Sequence, residues 1–286
     1  MNVRISPDFV AAKLRKLGVR PQHQLGQNFL VDEGVLAAVA NGGQVTPGDV
    51  VVEVGPGLGV LTSELLNAGA TVHAIEFDPQ MAALLQEDFA AEIASGKLML
   101  HEGDAVKLIP ELIPSLPKGY KVIANVPYQI TTPLFQVFLQ DPAAEHRPVL
   151  LSLLVQKELA QRLCAKEKTG ERSYLSVLTQ YFTIATILKI VPPTAFMPSP
   201  KVDSAVLQLV AKDVLSLPVG EEKQFLRFVK VAFQERRKQL KNVIAGIKAR
   251  PTAEIGEWLV SHNLPVTVRA QELTEADWLT LYHDRR

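Results

Sequence analysis

Val50-Val51-Val52-Glu53-Val54-Gly55-Pro56-Gly57-Leu58-Gly59-Val60 passes from a β-branched run through three alternating glycines into an apolar pattern of helical period. A short Val-rich run reads as a buried strand, here Val50–Val54. The glycines allow a tight strand-to-helix turn on which a ligand can approach the backbone at Gly55 and Gly57. The helix is expected over Val60–Ala68. The same alternation continues outward: strand Thr71–Ile75, a helix begun by Asp78-Pro79, and strands Lys97–His101, Lys121–Ala124 and Val149–Val155, with a helix after Thr131. Strands alternating with helices imply a mostly parallel sheet covered on both faces. Nearer the N-terminus, Ser6-Pro7 opens a helix through Leu17 in the N-cap and N1 pattern, and Asp32 begins a second.

Two more β-like runs, Thr183–Val191 and Val202–Val210, bracket the proline-rich loop Pro192–Pro200. Beyond Leu217-Pro218 only helical patterns remain. Phe225, Phe228, Val229, Ala232, Leu240, Val243 and Ile247 keep one apolar face at helical spacing. A boundary near 211–220 is expected, giving an α/β domain over 1–210 and a smaller all-helical domain over 211–286. At 286 residues and 47% hydrophobic content the chain can bury a large core. No stretch is long and apolar enough to span a bilayer, and Met1–Phe9 lacks a signal-peptide core. The single Cys164 excludes an internal disulfide and fits a reducing cytoplasm. The six histidines show no metal-ligand spacing, so no metal is expected.

The formal net charge of zero averages two unlike regions. Glu76–Glu111 carries eight acids against two lysines, and Lys201–Arg250 carries eleven Lys/Arg against five acids. The C-terminal region is therefore a localised anion-binding block. On one uninterrupted helix Lys230, Arg237, Lys241 and Lys248 would fall within about 20° of one line, with Arg227 about 60° away. A solvated helix face is the plain reading, and contact with phosphate is the functional one.

Glycine-rich loops serve dinucleotide binders and methyltransferases alike. The order G-x-G-x-G, with Pro56 between the first two glycines, departs from the dinucleotide G-x-G-x-x-G and favours S-adenosylmethionine. Glu76 ends the next strand, about twenty residues on, where an acid can accept both ribose hydroxyls; alternatively it is a solvated acid. Asp104 can accept the amino group of an adenine or cap a helix over 105–109, and the two roles are compatible. Asn125-Val126-Pro127-Tyr128 follows the fourth strand, and Pro127 forbids its continuation. An Asn amide, a Val126 or Pro127 carbonyl and an aromatic face suit an exocyclic amine. A strand-ending turn with a locally packed Tyr128 is the bland alternative.

In this order the residues resemble the KsgA family of ribosomal RNA adenine N6,N6-dimethyltransferases over nearly the whole chain. The resemblance rests on Leu25-Gly26-Gln27-Asn28-Phe29-Leu30, Glu53–Gly59, Gly103-Asp104-Ala105 and Asn125–Tyr128. It rests further on Phe196-Met197-Pro198-Ser199-Pro200-Lys201-Val202-Asp203-Ser204-Ala205-Val206 and Phe233–Leu240. It implies a Rossmann-like S-adenosylmethionine-dependent methyltransferase domain with a smaller helical RNA-binding domain. By it, Asn28, Leu30, Gly55, Glu76, Asp104 and Asn125 contact the cofactor. Phe196 stacks on the target base opposite Tyr128, or else anchors its loop. Asn125 and Pro127 complete the catalytic set, and Arg227, Lys230, Arg236, Arg237, Lys238 and Lys241 are the candidates for RNA.

The implied substrate is small-subunit ribosomal RNA in an assembling subunit, dimethylated at two adjacent adenosines near its 3′ end by a cytoplasmic monomer. The family usually has Lys or Arg where this chain has Pro21-Gln22-His23-Gln24, which weakens RNA contact there. An Erm-type large-subunit methyltransferase is the rival enzyme; a non-catalytic assembly or transcription factor of the same fold is the rival of another class.

Overall fold

The computed structural model describes residues 5–18, 27–141, 143, 146–248 and 250–284. The chain divides into two compact units, Met1–Ala160 with Ile184–Ala211, and Gln161–Thr183 with Lys212–Arg286. The first unit contains, in order, α1 (Pro7–Leu17), β1 (Phe29–Leu30), α2 (Glu33–Gly42), β2 (Val50–Val54), α3 (Val60–Asn67), β3 (Thr71–Glu76), α4 (Pro79–Asp88), α5 (Ala90–Ala94), β4 (Leu98–Glu102), α6 (Ala105–Leu112), β5 (Lys121–Asn125), α7 (Thr131–Phe135), β6 (Leu150–Gln156), β7 (Thr183–Val191), β8 (Phe196–Met197) and β9 (Ser204–Ala211).

Seven strands form one sheet in the order β4-β3-β2-β5-β6-β9-β7, parallel from β4 to β6 and antiparallel between β6 and β9. The chain steps outward from β2 to β4, then returns to the other side of β2 with β5. That reversal opens a crevice at the C-terminal ends of β2 and β5.

Side chains anticipated as helix starts do cap. Ser6 Oγ accepts from the Phe9 N–H at 3.1 Å, Asp32 Oδ1 from Val35 at 2.9 Å and Asp78 Oδ1 from Gln80 at 3.0 Å. Helix α2 lies against β5, β6 and β9. Ser152 Oγ donates to the Val39 carbonyl at 2.7 Å, and Gln208 Nε2 to that of Gly42 at 2.7 Å. The approach is close enough that a Cβ on Gly43 would lie 2.1 Å from Ile123 Cδ1. Only glycine fits there.

Two short strands escaped the sequence pattern. β1 and β8 pair antiparallel, Phe29 with Met197 and Leu30 with Phe196, and two residues are too few to show an alternation.

The second unit is helical: α8 (Lys157–Leu163), which spans the junction, then α9 (Tyr174–Phe182), α10 (Glu222–Ala232), α11 (Leu240–Lys248), α12 (Thr252–Ser261) and α13 (Glu275–His283). The expected division into 1–210 and 211–286 therefore differs from the observed units by the segment Gln161–Thr183. Helix α9 buries Val177, Leu178, Tyr181 and Phe182, and the Tyr181 ring packs 5.1 Å from that of Phe225 on α10. Such a contact leaves no linker-like composition to read.

The expected continuous helix through the basic block is also broken. Helix α10 stops at Ala232 and α11 starts at Leu240, whose N–H bonds to the Val268 carbonyl at 2.8 Å instead of continuing the helix. Phe233, buried, turns into the Trp278 ring at 5.8 Å.

Gly59 is the second position that demands glycine. Its φ is +75°, and a Cβ there would meet the Phe89 ring at 2.5 Å and Leu85 at 2.9 Å. Gly59→Ala is expected to lower the unfolding free energy by about 2–4 kcal/mol, from left-handed strain plus overpacking. Urea denaturation with an unchanged m-value reads it; a loss within ±0.5 kcal/mol would contradict the packing described.

Candidate active site

Because β2 lies between β3 and β5, the chain leaves Val54, Glu76 and Asn125 side by side, with Gly103 beyond β4. The backbone registers extend past the strands: Gly55 N–H donates to Ile75 O at 2.9 Å and Gly103 N–H to Glu76 O at 2.8 Å. At these tips lies a cavity of ≈ 390 Å³. Asn28, Leu30, Gly55, Gly57, Glu76, Asp104, Asn125, Pro127, Tyr128 and Phe196 all line it, so every cofactor and catalytic candidate converges there.

Glu76 organises one end. Its Oε2 accepts from Gly57 N–H at 2.9 Å and its Oε1 from Asp78 N–H at 2.8 Å. Asp78 Oδ2 in turn accepts from Gln27 Nε2 at 2.7 Å. Burial raises the Glu76 carboxyl above its usual range, against these backbone donors, which lower it. Each oxygen still has a lone pair for a hydroxyl. Asp104 Oδ1 caps α6 through Val106 N–H at 3.0 Å while Asp104 lines the cavity, so the capping reading is realised beside the ligand-facing one.

Three residues to which the sequence alone gives no site role also line the cavity. Phe77, between the two acids, is 59% exposed, an unusual exposure for a phenylalanine. Its position directly after a strand-tip acid was the available signal. Gln27 is the second. The third is Glu53, 1% exposed, whose Oε2 accepts from Thr62 Oγ1 at 2.7 Å. Desolvation pushes its carboxyl up to about 8, the Thr62 hydroxyl opposes this, and the Glu76 charge adds to it.

At the other end, Asn125 Nδ2 makes a long 3.5 Å bond to the Asn28 carbonyl, which turns Oδ1 into the acceptor of the pair. Of the two candidate backbone acceptors, the Pro127 carbonyl is occupied by Ile130 N–H at 3.1 Å and Thr131 Oγ1 at 3.3 Å. The Val126 carbonyl accepts no hydrogen bond among the described residues. Tyr128 is held at both ends: Thr131 Oγ1 donates to its carbonyl at 3.2 Å, and its hydroxyl lies 2.6 Å from Ser204 Oγ. Burial raises the Tyr128 phenol, partly offset by Ser204. Phe196 is 3% exposed and packs with the core while facing the cavity, so it is both loop anchor and wall.

The basic candidates belong to the second unit and do not share one stripe. Arg227 and Lys230 are exposed on α10, with the Lys230 ammonium 5.8 Å from the Tyr174 ring centroid. Arg236, Arg237 and Lys238 sit in the turn between α10 and α11. Arg236 Nη2 donates to the carbonyls of Gly170 and Arg172, at 2.5 and 2.9 Å, and Lys238 pairs with Glu235 at 2.5 Å. Lys241 is half-buried beside Thr252 and Gly256. Arg227 and Arg237 have no partner among the described residues. Pro21-Gln22-His23-Gln24 and Leu25-Gly26 lie outside the described residues.

Fold and site together define a Rossmann-like methyltransferase. Among solved structures, a dimethyladenosine transferase from Plasmodium falciparum superposes with a TM-score of 0.73 at 25% identity, covering 90% of this chain and 96% of that one. The 23S rRNA methyltransferase ErmE, at TM-score 0.68 and 23% identity over 90% of this chain and 98% of its own, shares the fold. Residues 19–284 match the family described as ribosomal RNA adenine dimethylase. Ribosomal RNA small subunit methyltransferase A of Moorella thermoacetica is 38% identical over 251 residues, 85% of each chain. Its namesake from Thiobacillus denitrificans is 37% identical over 258 residues, 90% of this chain and 95% of that one. The chain belongs to the ribosomal RNA adenine dimethylase family.

The Tyr128–Ser204 bond fixes a ring on the cavity wall from a buried hydroxyl on β9. Tyr128→Phe and Ser204→Ala are each expected to lower methyl-transfer turnover about three- to tenfold, the worth of one hydrogen bond. The double variant should fall no further, since each change removes the same contact. Additive losses would mean that the two side chains act separately.

Proposed function

We propose that this chain transfers methyl groups from S-adenosylmethionine to N6 of adenosines in small-subunit ribosomal RNA, yielding N6,N6-dimethyladenosine. The observation that carries this reading is the single cavity shared by the strand-tip acids and Asn125-Val126-Pro127-Tyr128. Support for the small subunit comes from the name borne by the relatives at 36–38% identity, whereas ErmE is alike in fold only. Intact Asn125, Pro127 and Tyr128 speak against a non-catalytic factor. The reading includes a monomer working in the cytoplasm on an assembling subunit. No helix among the described residues is long and apolar enough to cross a membrane.

The chemistry of the lining fits the cofactor. Glu53, Glu76, Asp78 and Asp104 supply four carboxyls, and no Lys, Arg or His lines the cavity among the described residues. That suits a cationic nucleoside and disfavours the pyrophosphate of a dinucleotide. Glu76 would hold the ribose hydroxyls, Asp104 the adenine amine, and Phe77 would offer a ring face. When bound, S-adenosylmethionine supplies an electrophilic methyl group.

Adenine N6 is a poor nucleophile because its lone pair is delocalised into the ring. Asn125 Oδ1 and the Val126 carbonyl, accepting from the two N6 hydrogens, would rotate that lone pair out of conjugation. The same two dipoles stabilise the positive charge that grows on nitrogen. No titrating base is needed, since the alkylated nitrogen is acidic enough to release its proton to water. The base must leave its stack to reach the cavity. Stacking on Tyr128 and Phe196, at about 1–3 kcal/mol each, offsets that cost.

Asn125→Ala is expected to reduce turnover by about two orders of magnitude or more while leaving RNA affinity largely intact. Methylation of unmethylated small subunits, with adenosines analysed by mass spectrometry, tests both the function and the residue. A drop under tenfold with collapsed RNA affinity would make Asn125 a binding residue. For RNA itself, the unpartnered cations are the ones to reverse. Arg227→Glu with Arg237→Glu should weaken RNA binding and reduce the log–log salt slope by roughly two units, with cofactor affinity unchanged. Superimposable slopes would return both side chains to the solvent.

A further inference from the structure

Glu53 has no role in the chemistry above, yet it lines the reaction cavity and is shut off from bulk water. Among the described residues its only hydrogen-bond partner is Thr62, whose hydroxyl and backbone N–H are neutral donors that offset part of the cost of ionising it without supplying a positive charge. The charged groups around it are nearly all of its own sign. Glu76, whose charge raises the Glu53 pKa, stands at the tip of β3, and Asp78 and Asp104 line the same cavity. Cations on neighbouring elements are committed elsewhere. Lys121, at the start of β5, pairs with Asp49 at 2.8 Å, and Lys13 of α1, which reaches the Leu58 carbonyl, pairs with Asp88. His73, midway along β3, packs against His101 and is held neutral by burial, at about 4. A buried carboxyl beside a second carboxylate, with no cation to pair, keeps its proton at neutral pH.

This balance changes with the charge of the ligand. Resting on the cofactor reading above, we infer that Glu53 senses the charge on the cofactor's sulfur: it surrenders its proton to solvent when a sulfonium ligand enters the cavity, and retains it with the neutral thioether product. The exchange balances. The protonated carboxyl and the cationic ligand become a carboxylate–cation pair plus one released proton, whereas the thioether enters a cavity whose charge is unaltered. The upward shift of Glu53 to about 8 places the exchange in the neutral range. One buried residue thereby favours the charged cofactor over its spent form, and does so more strongly as pH rises toward 8.

Isothermal titration calorimetry of the whole protein at pH 7, in two buffers of different ionisation enthalpy, counts the protons. S-adenosylmethionine should release a proton count approaching one (about 0.5–0.9, from a group about a unit above ambient pH). S-adenosylhomocysteine should release almost none. In Glu53→Gln, which keeps the Thr62 bond, release should vanish for both. Independently of any variant, the ratio of the two dissociation constants in the wild type should change in favour of S-adenosylmethionine. The change should approach tenfold per pH unit between about 6 and 8, then level off. Equal proton counts for the two ligands, or release that persists in Glu53→Gln, would overturn the inference while leaving the cofactor assignment standing. Failure of S-adenosylmethionine to bind the wild type at all would overturn the cofactor reading itself, and this inference with it.

Discussion

Two backbone N–H groups, those of Gly57 and Asp78, converge on the one carboxylate of Glu76. The rest of the site is assembled around that arrangement. Through Gly57 it sets the glycine turn against the tip of β3; through Asp78 it fixes the start of α4. Asp78 extends it to Gln27 of the N-terminal segment, and the Glu76 carbonyl takes Gly103 N–H from beyond β4. Four segments that share no sequence neighbourhood are thus referred to one residue. A carboxylate 6% exposed is costly to ionise, which is why its pKa rises. The two backbone donors offset part of that cost and leave an acceptor aimed into the cavity before any ligand arrives.

A second set of links closes the cavity from the opposite side. Leu30 pairs with Phe196 in the β1–β8 ribbon, and Val31 N–H donates to the Ala195 carbonyl at 2.8 Å. Ser204, at the start of β9, holds the Tyr128 hydroxyl, while its neighbour Asp203 pairs with Lys157 at 2.9 Å. The Phe196–Val206 motif therefore has a mechanical reason for its residues. Its Phe end anchors the N-terminal segment, its Ser end orients the strand-tip tyrosine, and the antiparallel return of β9 along β6 brings both within reach. Rigidity of this kind would serve the proposed catalysis by positioning, because a ring already in place costs no ordering when a base arrives.

What the sequence could disclose follows from the range of each interaction. The β2 turn, the capped helix starts and the five parallel strands are local patterns, and all were legible, as was the convergence of Glu76, Asp104 and Asn125 at adjacent tips. Tertiary contacts overrode the rest. The β1–β8 pair needs a partner 166 residues away (Leu30↔Phe196). Segment 161–183 joins the second unit because Tyr181 packs on Phe225, and the basic helix breaks because Leu240 finds Val268 instead of its own preceding turn. The choice between Val126 and Pro127 as acceptor was likewise undecidable from types alone. Thr131 and Ile130 occupy the proline carbonyl, which is why the proposed mechanism uses that of Val126. Glu53 was hidden for another reason: its environment, not its motif position, sets its protonation.

The formal neutrality of the chain averages two regions of opposite sign, one in each unit. Acids gather around the cavity, where no described basic side chain reaches, and bases gather in the helical unit, where Arg227 and Arg237 have no partner among the described residues. Each sign excludes the wrong ligand from its own surface. A cavity walled by four carboxyls repels phosphate, so under the proposed function a nucleotide would present its uncharged base to Asn125 and Val126 and keep its backbone outside. Cations inside the cavity would attract phosphate and weaken the hold on the proposed cationic cofactor. Under the proposed function, separating the two signs along the sequence would let one chain bind a cation and a polyanion without either displacing the other.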